Sequence, residues 1–234
     1  MAGLTFIKRG QGWLTTHAGD GAAFPPLPDE TLIEARAAQT QQTGAHPLWE
    51  GYRASGSTRG GPVRTSNQVR TRPAVGRFLS WLVSCKQARC VVEFGTAFGV
   101  SGMYFLSGLK SVPDGRLYTF DPNETWAMLA EENLRSVHDG FTLTKGTFED
   151  NADRVLGSTK IDVAFIDAIH TSAFVTAQLE VVLRHAAPGA VILFDDIAFS
   201  RDMASCWRAL STREDFVATA AIGSRLGVAE LANA

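Results

Sequence analysis

Residues 90–101 of this 234-residue chain read CVVEFGTAFGVS. The first five residues are apolar except for Glu93, and such a run is typical of a strand that is buried on both faces. Gly95 and Gly99 follow, and glycines between a strand and a helix allow a ligand to approach the backbone closely. A tight turn without a ligand would need the same glycines. The stretch therefore predicts a strand, a glycine-containing turn and a helix.

Similar apolar runs recur after this unit and alternate with helical patterns. The predicted strands are 90–94, 117–120, 141–146, 162–167, 190–195, 216–222 and 227–231, and the predicted helices lie near 101–110, 124–136, 149–157, 172–186 and 201–212. The alternation predicts an α/β fold with a doubly wound, Rossmann-like sheet of seven strands, mostly parallel. Only residues 223–226 separate the last two strands, which is too short for a crossover helix, so we expect a C-terminal antiparallel hairpin.

The N-terminal part of the chain has a different composition. Residues 1–65 hold five of the nine prolines and a linker-like stretch, ASGSTRGGP, at 54–62. We therefore expect no packed sheet there. Residues 29–42 lack Gly and Pro and begin with two acids, which predicts a helix. The organisation we predict is an N-terminal helical arm or lid over 1–65 and one domain over 66–234, which starts with a helix near 67–85.

The overall charge argues against two classes of partner. Lys and Arg number 22 against 24 Asp and Glu, a formal charge of −2, so we expect neither a nucleic acid nor a membrane as partner. No apolar run is long enough to span a bilayer, and the first residues do not resemble a signal peptide, so we expect a cytoplasmic location. The three cysteines, 85, 90 and 206, suggest neither a disulfide framework nor a zinc site.

Acidic residues mark the carboxyl ends of the predicted strands, where ligands bind in doubly wound sheets. They are Glu93, Asp121, Asp167, Asp195 and Asp196. A carboxylate at Glu93 disfavours a pyrophosphate and suits a cationic ligand. Asp121 ends the second strand of this unit, where a carboxylate can accept both ribose hydroxyls. A nucleoside joined to a positively charged amino acid satisfies both conditions.

Five motifs in this order resemble a known class of enzyme: VVEFGTAFGVSG, TFDPNE, KGTFED, FIDAIH and ILFDD. Together with the final hairpin they are similar to the class I S-adenosylmethionine-dependent methyltransferases. More narrowly, they resemble the metal-dependent small-molecule O-methyltransferases related to catechol and caffeoyl-CoA O-methyltransferases. The resemblance covers about 66–231. It implies S-adenosylmethionine as the cofactor and a hydroxylated small molecule, such as a secondary metabolite, as the methyl acceptor.

The resemblance also implies roles for individual residues. Glu93 would lie near the amino group of the cofactor, Asp121 would hold its ribose, and Asp167 would lie beside it. The other cofactor-binding residues implied are those around the methionine part (Gly95, Thr96, Gly99 and Ser101) and those beside the adenine (Phe148 and Glu149).

A divalent metal is the next implication of the resemblance. Asp167, Asp195 and Asp196 match the three metal-binding positions, and carboxylate oxygens suit Mg²⁺, Mn²⁺ or Ca²⁺. The alternative is that Asp196 caps the following helix and Asp195 closes a turn.

His170 occupies the position at which the related enzymes usually carry a lysine that acts as base. An imidazole has an ordinary pKa near 6.5, which suits a general base at neutral pH. We therefore predict His170 and Asp167 as the catalytic residues, with Asp167 holding the metal and His170 taking the acceptor's proton. Metal ligation or a hydrogen bond to the substrate are the other roles open to His170.

Substrate choice is expected to depend on the segments outside the five motifs. Trp13, Trp49, Tyr52 and Phe199 would form an aromatic wall or else pack the arm onto the core or onto a second subunit, and a proline-rich, apolar arm favours a homodimer. The arginines at 53, 59, 64, 70 and 72 would attract an anionic substrate or lie on a solvated face.

Three other functions remain open from the sequence. The first is a metal-independent N- or O-methyltransferase that uses His170 alone. The second is an NAD-dependent oxidoreductase, against which Glu93, the glycine spacing and the final hairpin argue. The third is a binding module that has lost catalysis.

Overall fold

A computed structural model describes residues 3–55 and 61–233. Its strands are β1 (Leu4–Arg9), β2 (His46–Pro47), β3 (Val63–Arg64), β4 (Cys90–Phe94), β5 (Arg116–Phe120), β6 (Phe141–Thr144), β7 (Ile161–Ile166), β8 (Ala186–Phe194), β9 (Phe216–Ile222) and β10 (Leu226–Leu231). Its helices are α1 (Trp13–His17), α2 (Glu30–Gln42), α3 (Glu50–Ala54), α4 (Ser66–Val69), α5 (Pro73–Lys86), α6 (Val100–Leu109), α7 (Glu124–Arg135), α8 (Phe148–Leu156), α9 (Ser172–His185) and α10 (Arg201–Leu210).

The central sheet has the strand order β1-β9-β10-β8-β7-β4-β5-β6. Strands β8, β7, β4, β5 and β6 run parallel, whereas β10 is antiparallel to both β8 and β9. The predicted α/β fold with a mostly parallel sheet and a final antiparallel hairpin is confirmed. All seven predicted strands are present, and they bring the carboxyl ends of β4, β5, β7 and β8 to one edge.

The central sheet has eight strands rather than the seven predicted. The additional strand is β1, which pairs antiparallel with β9. The expectation that residues 1–65 contribute no strand to a packed sheet is therefore wrong. Its first residue, Leu4, is fully buried, and the residues after it alternate between exposed and half-buried, as expected for a strand at the sheet edge. All prolines of this segment follow β1 in the sequence, so they give no evidence against a strand before them.

The helix predicted near 67–85 is two helices, α4 and α5. Pro73 is the first residue of α5, where its missing N–H costs no hydrogen bond. The preceding residue, Arg72, is extended at φ −79° and ψ 150°, as steric contact with a proline ring requires. The helix predicted over 29–42 is confirmed as α2.

Helices cover both faces of the sheet, which explains the unbroken apolar strands. Val91 contributes to the core on the face covered by α5 and α6, and the next residue, Val92, to the core on the face covered by α9 and α10. All five residues of β4 are buried. Because successive side chains of a strand point to opposite faces, a strand between two layers of helices must be apolar at every position but the functional ones.

No helix in the part of the chain that the structure describes combines the length and apolar character needed to cross a membrane.

Candidate active site

The turn between β4 and α6 brings two strand ends into close contact. Gly95 has φ +94°, and a Cβ added there would lie 2.1 Å from the carbonyl oxygen of Asp167. The Asp167 N–H donates a hydrogen bond to the Phe94 carbonyl at 3.0 Å. Gly99 has φ +80°, and its added Cβ would contact α7 at Ala130, 3.2 Å away. Gly95 is therefore required by the approach of β7, and Gly99 by the packing of α7.

Glu93 is buried inside the fold, next to the turn between β4 and α6. Its side chain is fully buried, and its Oε2 accepts a hydrogen bond from the Thr119 hydroxyl at 2.7 Å. Burial raises the pKa of Glu93 to about 7, although hydrogen bonds from Ser101 and Thr119 oppose this rise. Glu93 and Gly99 are the two predicted cofactor-binding residues that do not line either described cavity.

Asp121 follows β5 and is held by the backbone on both carboxylate oxygens. Oδ2 accepts from the Ala97 N–H at 2.7 Å, and Oδ1 accepts from the Asn123 N–H at 2.8 Å. Burial raises the pKa of Asp121 to about 7 against these two hydrogen bonds. Each oxygen has a further lone pair, and Asp121 lines the main cavity, so it can accept hydroxyl donors from a ligand.

A cavity of about 370 Å³ lies over the carboxyl ends of the strands. This size and position are typical of a small-molecule site in a doubly wound sheet. The predicted site residues that line it are Gly95, Asp121, Phe148, Glu149, Asp167, His170 and Asp196. A smaller adjoining pocket is lined by Gly95, Thr96, Ser101 and Asp167 among others. The two spaces thus meet at Gly95 and Asp167.

Aromatic rings form one wall of the cavity. Phe148 packs between Phe94, at 3.8 Å between ring centroids, and Phe120, at 5.2 Å. Next to it, Gln178 Nε2 donates to Glu149 Oε1 at 3.0 Å. Gln178 is buried, and its Oε1 accepts no hydrogen bond from any residue that the structure describes. This wall therefore offers a flat apolar face and a free buried acceptor side by side.

The opposite wall comes from the N-terminal part of the chain. Its residues are Leu48, Trp49, Tyr52, Arg64, Gln68 and Val69. Of the four aromatic residues proposed for a wall, Trp49, Tyr52 and Phe199 line the cavity. Trp13 does not; it packs on Trp81 at 5.6 Å between ring centroids, so it joins the N-terminal segment to the core.

Only one of the predicted arginines reaches the cavity within the described residues. Arg64 lines it and is largely buried. Arg70 lines only the adjoining pocket and forms an ion pair with Glu34, and neither Arg53 nor Arg72 lines either space. Arg59 lies outside the described residues.

Asp167, His170 and Asp195 form a compact cluster at the ends of β7 and β8. One ligand atom from each lies within 4.8 Å of the others. His170 Nε2 is 3.9 Å from Asp167 Oδ1 and 3.6 Å from Asp196 Oδ2. Burial lowers the pKa of His170, against the opposing effect of Asp196 and Asp195. Burial also raises the pKa of Asp167 well above its usual range, and the charge of Asp195 adds to this rise.

A cation from the final hairpin already pairs with two of these carboxylates. Arg225 Nε and Nη2 donate to Asp195 Oδ1 and Oδ2 at 3.0 and 2.7 Å, a bidentate pair. Arg225 Nε also lies 3.1 Å from Asp196 Oδ1. The backbone carbonyl of Arg225 accepts from the Ile197 N–H at 3.1 Å, which fixes the hairpin over the end of β8. Asp195 is almost fully buried beneath the guanidinium and does not line the cavity.

Sequence reasoning missed Arg225, although a signal for it existed. The hairpin was predicted, and Arg225 is the only charged residue in its four-residue connection, 223–226. The sequence alone does not show which strand of the sheet pairs with β10. Because β10 pairs with β8 with Gly227 opposite Phe194, the connection lies at the carboxyl end of β8, next to Asp195. Gln178 and Trp126 were also missed, since nothing in their local sequence distinguishes them from helical core residues.

Part of this chain is similar in sequence to known proteins. Residues 92–197 match a family model described as "Methyltransferase domain". A curated protein of Mycobacterium sp. (strain KMS), provisionally named an O-methyltransferase, is 37% identical over 99 residues, which are 41% of this chain and 44% of the relative. The chain therefore matches less than half the length of this relative.

Solved structures of methyltransferases share the fold over most of the chain. The O-methyltransferase TomG from Streptomyces achromogenes, in complex with SAM, superposes with a TM-score of 0.63 at 19% identity, covering 84% of this chain and 89% of TomG. An O-methyltransferase from Bacillus cereus in complex with SAH gives 0.59 at 22% identity, covering 85% and 99%. The fold expected from the predicted resemblance is thus confirmed, and residues 92–197 carry the sequence similarity to a methyltransferase domain.

Proposed function

We propose that this chain transfers the methyl group of S-adenosylmethionine to a hydroxyl oxygen of a small molecule. The observation that carries the proposal is the position of Asp121. Its backbone-held carboxylate opens onto the same cavity as His170 and Asp167, so a ribose-binding acid and a base face one space.

The cavity walls suit the adenosine part of this cofactor. Phe148 provides an aromatic face for a purine. Gln178 Oε1 is a buried acceptor and Trp126 Nε1 a buried donor, and neither forms a hydrogen bond with the described residues, although both side chains line the cavity. Buried polar groups are rarely left unpaired, so a ligand with both donors and acceptors fits this cavity. The methionine part would lie beside Gly95 and Asp167, which line both the cavity and the small pocket of Thr96 and Ser101.

S-adenosylmethionine supplies an electrophilic methyl group: the acceptor oxygen forms a bond to the methyl carbon, the S–CH₃ bond breaks, its electron pair goes to sulfur, and S-adenosylhomocysteine leaves. The residues of this chain hold the two reactants in line and remove the acceptor's proton. His170 is the base, because Nε2 lies at the strand edge beside the cavity and burial keeps the imidazole neutral. Asp196, which lies 3.6 Å from Nε2 and favours the charged imidazole, then stabilises the imidazolium that forms.

The metal dependence expected from the sequence does not fit the donor set as the structure arranges it. Both oxygens of Asp195 already accept from Arg225, and Asp196 contacts the same guanidinium. A dication at Asp167, His170 and Asp195 would have to displace the guanidinium, or else lie next to it and be repelled by its positive charge. The proposed reaction therefore contains no step through a metal.

Hydroxylated small molecules, secondary metabolites among them, are the proposed acceptors. The N-terminal wall is mostly apolar and contributes Trp49 and Tyr52, and Arg64 adds one buried cation. A flat aromatic hydroxyl compound with an anionic group matches these side chains. The homodimer stays a prediction.

Calorimetric titration with S-adenosylhomocysteine and NAD in parallel tests the cofactor. We expect one-site binding of S-adenosylhomocysteine and no binding of NAD. Asp121→Asn should weaken S-adenosylhomocysteine binding by about 10- to 100-fold, because hydrogen bonds to a charged group contribute about 1.5–3 kcal/mol.

Asp162→Asn is the matched control. The Asp162 carboxylate also accepts two backbone N–H groups, from Arg89 and Cys90, but it lies at the other end of the strands. Its affinity should equal that of the wild type. NAD binding in place of S-adenosylhomocysteine would refute the proposed cofactor.

With the cofactor established, methyl transfer from labelled S-adenosylmethionine to a panel of phenols and aliphatic alcohols identifies the acceptor.

A further inference from the structure

We propose that the Arg225 guanidinium takes the place of a divalent cation, so that a side chain of the protein supplies the positive charge beside the acceptor oxygen. The methyl transfer in this statement rests on the proposed function; the occupation of the cation site by Arg225 does not.

The first support is the geometry of the ion pairs. Arg225 contacts both carboxylates of the Asp195–Asp196 pair, in bidentate contact with the first and at 3.1 Å from the second. A metal ion held by Asp167, His170 and Asp195 would need an oxygen of Asp195, and Arg225 occupies both of them. Bidentate pairing of Arg with a carboxylate fixes geometry as well as charge, so the guanidinium is not a mobile surface group.

The second support is that the cation is built into the fold. Arg225 sits between β9 and β10, and its carbonyl is held by the Ile197 N–H, one residue beyond Asp196. Asp196 has φ +51°, a left-handed conformation that aspartate tolerates better than most residues and that turns its carboxylate toward Arg225 and His170. The backbone on both sides thus presents the partners to each other.

The third support is access to the reaction space. Arg225 lines the same cavity as His170 and Asp167, and its side chain is 42% exposed although its partner Asp195 is 4% exposed. The hydrogen bonds to Asp195 use Nε and Nη2, so among the described residues Nη1 is left for an acceptor oxygen that loses its proton to His170. Fixed donors aimed at a developing oxyanion stabilise a transition state in the way a metal ion does.

Titration of Mg²⁺, and separately Mn²⁺, into the chelator-treated full-length chain, followed by calorimetry, tests the proposal without any substrate. The wild type should show no saturable binding. Arg225→Met keeps the length of the side chain and removes its charge, which frees the carboxylates. We expect one-site binding at least about tenfold tighter than any wild-type signal, because a fixed cation no longer repels the dication. Arg225→Lys keeps the charge and should resemble the wild type.

Arg213→Met is the matched control. Arg213 forms a similar bidentate pair with Asp215 at the other end of β9, away from the cavity. The Arg213→Met variant should bind Mg²⁺ or Mn²⁺ no more tightly than the wild type does. A rise in the unfolding midpoint on addition of Mg²⁺ to Arg225→Met alone would support the same conclusion.

Two results would overturn the proposal. One is saturable binding of Mg²⁺ or Mn²⁺ by the wild type. The other is a folded Arg225→Met variant that binds no dication, since the carboxylates would then form no cation site for Arg225 to occupy. The wild-type measurement decides the question even if Arg225→Met does not fold. Failure of the proposed function would appear instead as failure to bind S-adenosylhomocysteine.

Discussion

At the scale of single residues, His170 is the side chain whose chemistry matters most to the proposed reaction. Its Nε2 lies 3.6 Å from Asp196 Oδ2, in the main cavity. His170→Gln keeps a hydrogen-bonding group but cannot take a proton at neutral pH. We expect kcat to fall by about 10²- to 10⁴-fold, the usual contribution of a general base, with an unchanged affinity for S-adenosylhomocysteine. Initial rates and calorimetry measure the two quantities.

His185→Gln provides the comparison for that variant. His185 lies at the end of α9 with its Nε2 2.8 Å from Asp153 Oδ1, and it lines neither described cavity. Its rate should match that of the wild type. A rate for His170→Gln within a few-fold of the wild type would mean that another group, or solvent, takes the proton.

Glu93 makes stability depend on pH in an unusual direction. The buried native carboxyl has a pKa of about 7, against an ordinary value of 4.5. Between these values the folded chain holds a proton that the unfolded chain releases, so stability falls as pH rises from 4.5 through about 7. Glu93→Gln removes the Glu93 contribution, while Asp121 and Asp167, whose pKa values are also raised, keep theirs. Above pH 7 the variant should be more stable than the wild type by up to about 3 kcal/mol, at 1.36 kcal/mol per pKa unit.

Denaturant unfolding at a series of pH values measures this difference. Glu131→Gln, on the exposed face of α7, should leave the pH profile of the wild type unchanged. Parallel profiles for the wild type and Glu93→Gln would show that Glu93 keeps an ordinary pKa in the folded chain.

The acids at the strand ends could be predicted from sequence because each follows an apolar run directly. Arg225 could not, since its role depends on which strand β10 pairs with, and that pairing joins residues about 30 positions apart in the chain. Glu93 shows another limit. Its position at a strand end was correct, but the sequence does not reveal that Thr119 and the turn cover it completely.

At the scale of structural elements, the turn between β4 and α6 depends on one glycine. The Cβ of Gly95→Ala would lie 2.1 Å from a backbone oxygen of Asp167, so the ends of β4 and β7 must separate. We expect a loss of stability of about 1–3 kcal/mol, as for other overpacked sites. We also expect S-adenosylhomocysteine binding to weaken by about tenfold or more, because Gly95 lines both the cavity and the adjoining pocket.

Gly44→Ala separates this clash from backbone strain. Gly44 has φ +87°, close to that of Gly95, but its added Cβ meets no atom within 4 Å. That variant should lose only about 1–2 kcal/mol, the cost of a left-handed conformation, and keep its affinity. Equal affinity losses in both variants would contradict the role assigned to the Asp167 contact.

Elements with strong local patterns were predictable, and two without them were not. The parallel strands and α2 carry unbroken or regular patterns. The break between α4 and α5 follows from Pro73, which the pattern of apolar residues alone does not reveal. Strand β1 has few buried residues because it lies at the sheet edge, so its pattern was weak against the prolines that follow.

At the scale of the whole molecule, a buried carboxylate joins the two ends of the described chain. Glu230 of β10 is fully buried and accepts hydrogen bonds from the Trp13 and Leu14 N–H groups of α1, at 2.6 and 2.8 Å. Glu230→Gln places a donor against one of these donors. We expect a loss of about 1–3 kcal/mol in the free energy of unfolding, with unchanged S-adenosylhomocysteine binding, because Glu230 lines neither described cavity.

Denaturant unfolding and calorimetry test both expectations. Glu180→Gln is the control, since Glu180 is largely exposed and pairs only loosely with Arg213 at 3.6 Å. If Glu230→Gln unfolds like the wild type, α1 is held by its apolar contacts alone.

The two walls of the cavity belong to different stretches of the chain, and this separation has an evolutionary consequence. The wall of Phe148 and Gln178 lies within residues 92–197, where similarity to known methyltransferases is detectable, whereas Leu48, Trp49 and Tyr52 precede it. Under the proposed function, substitutions in the wall upstream of residue 92 can change the acceptor while the residues that bind the methyl donor stay the same. Acceptor preference is then expected to depend on the wall upstream of residue 92, and exchange of residues 48–69 with a related methyltransferase should change the product.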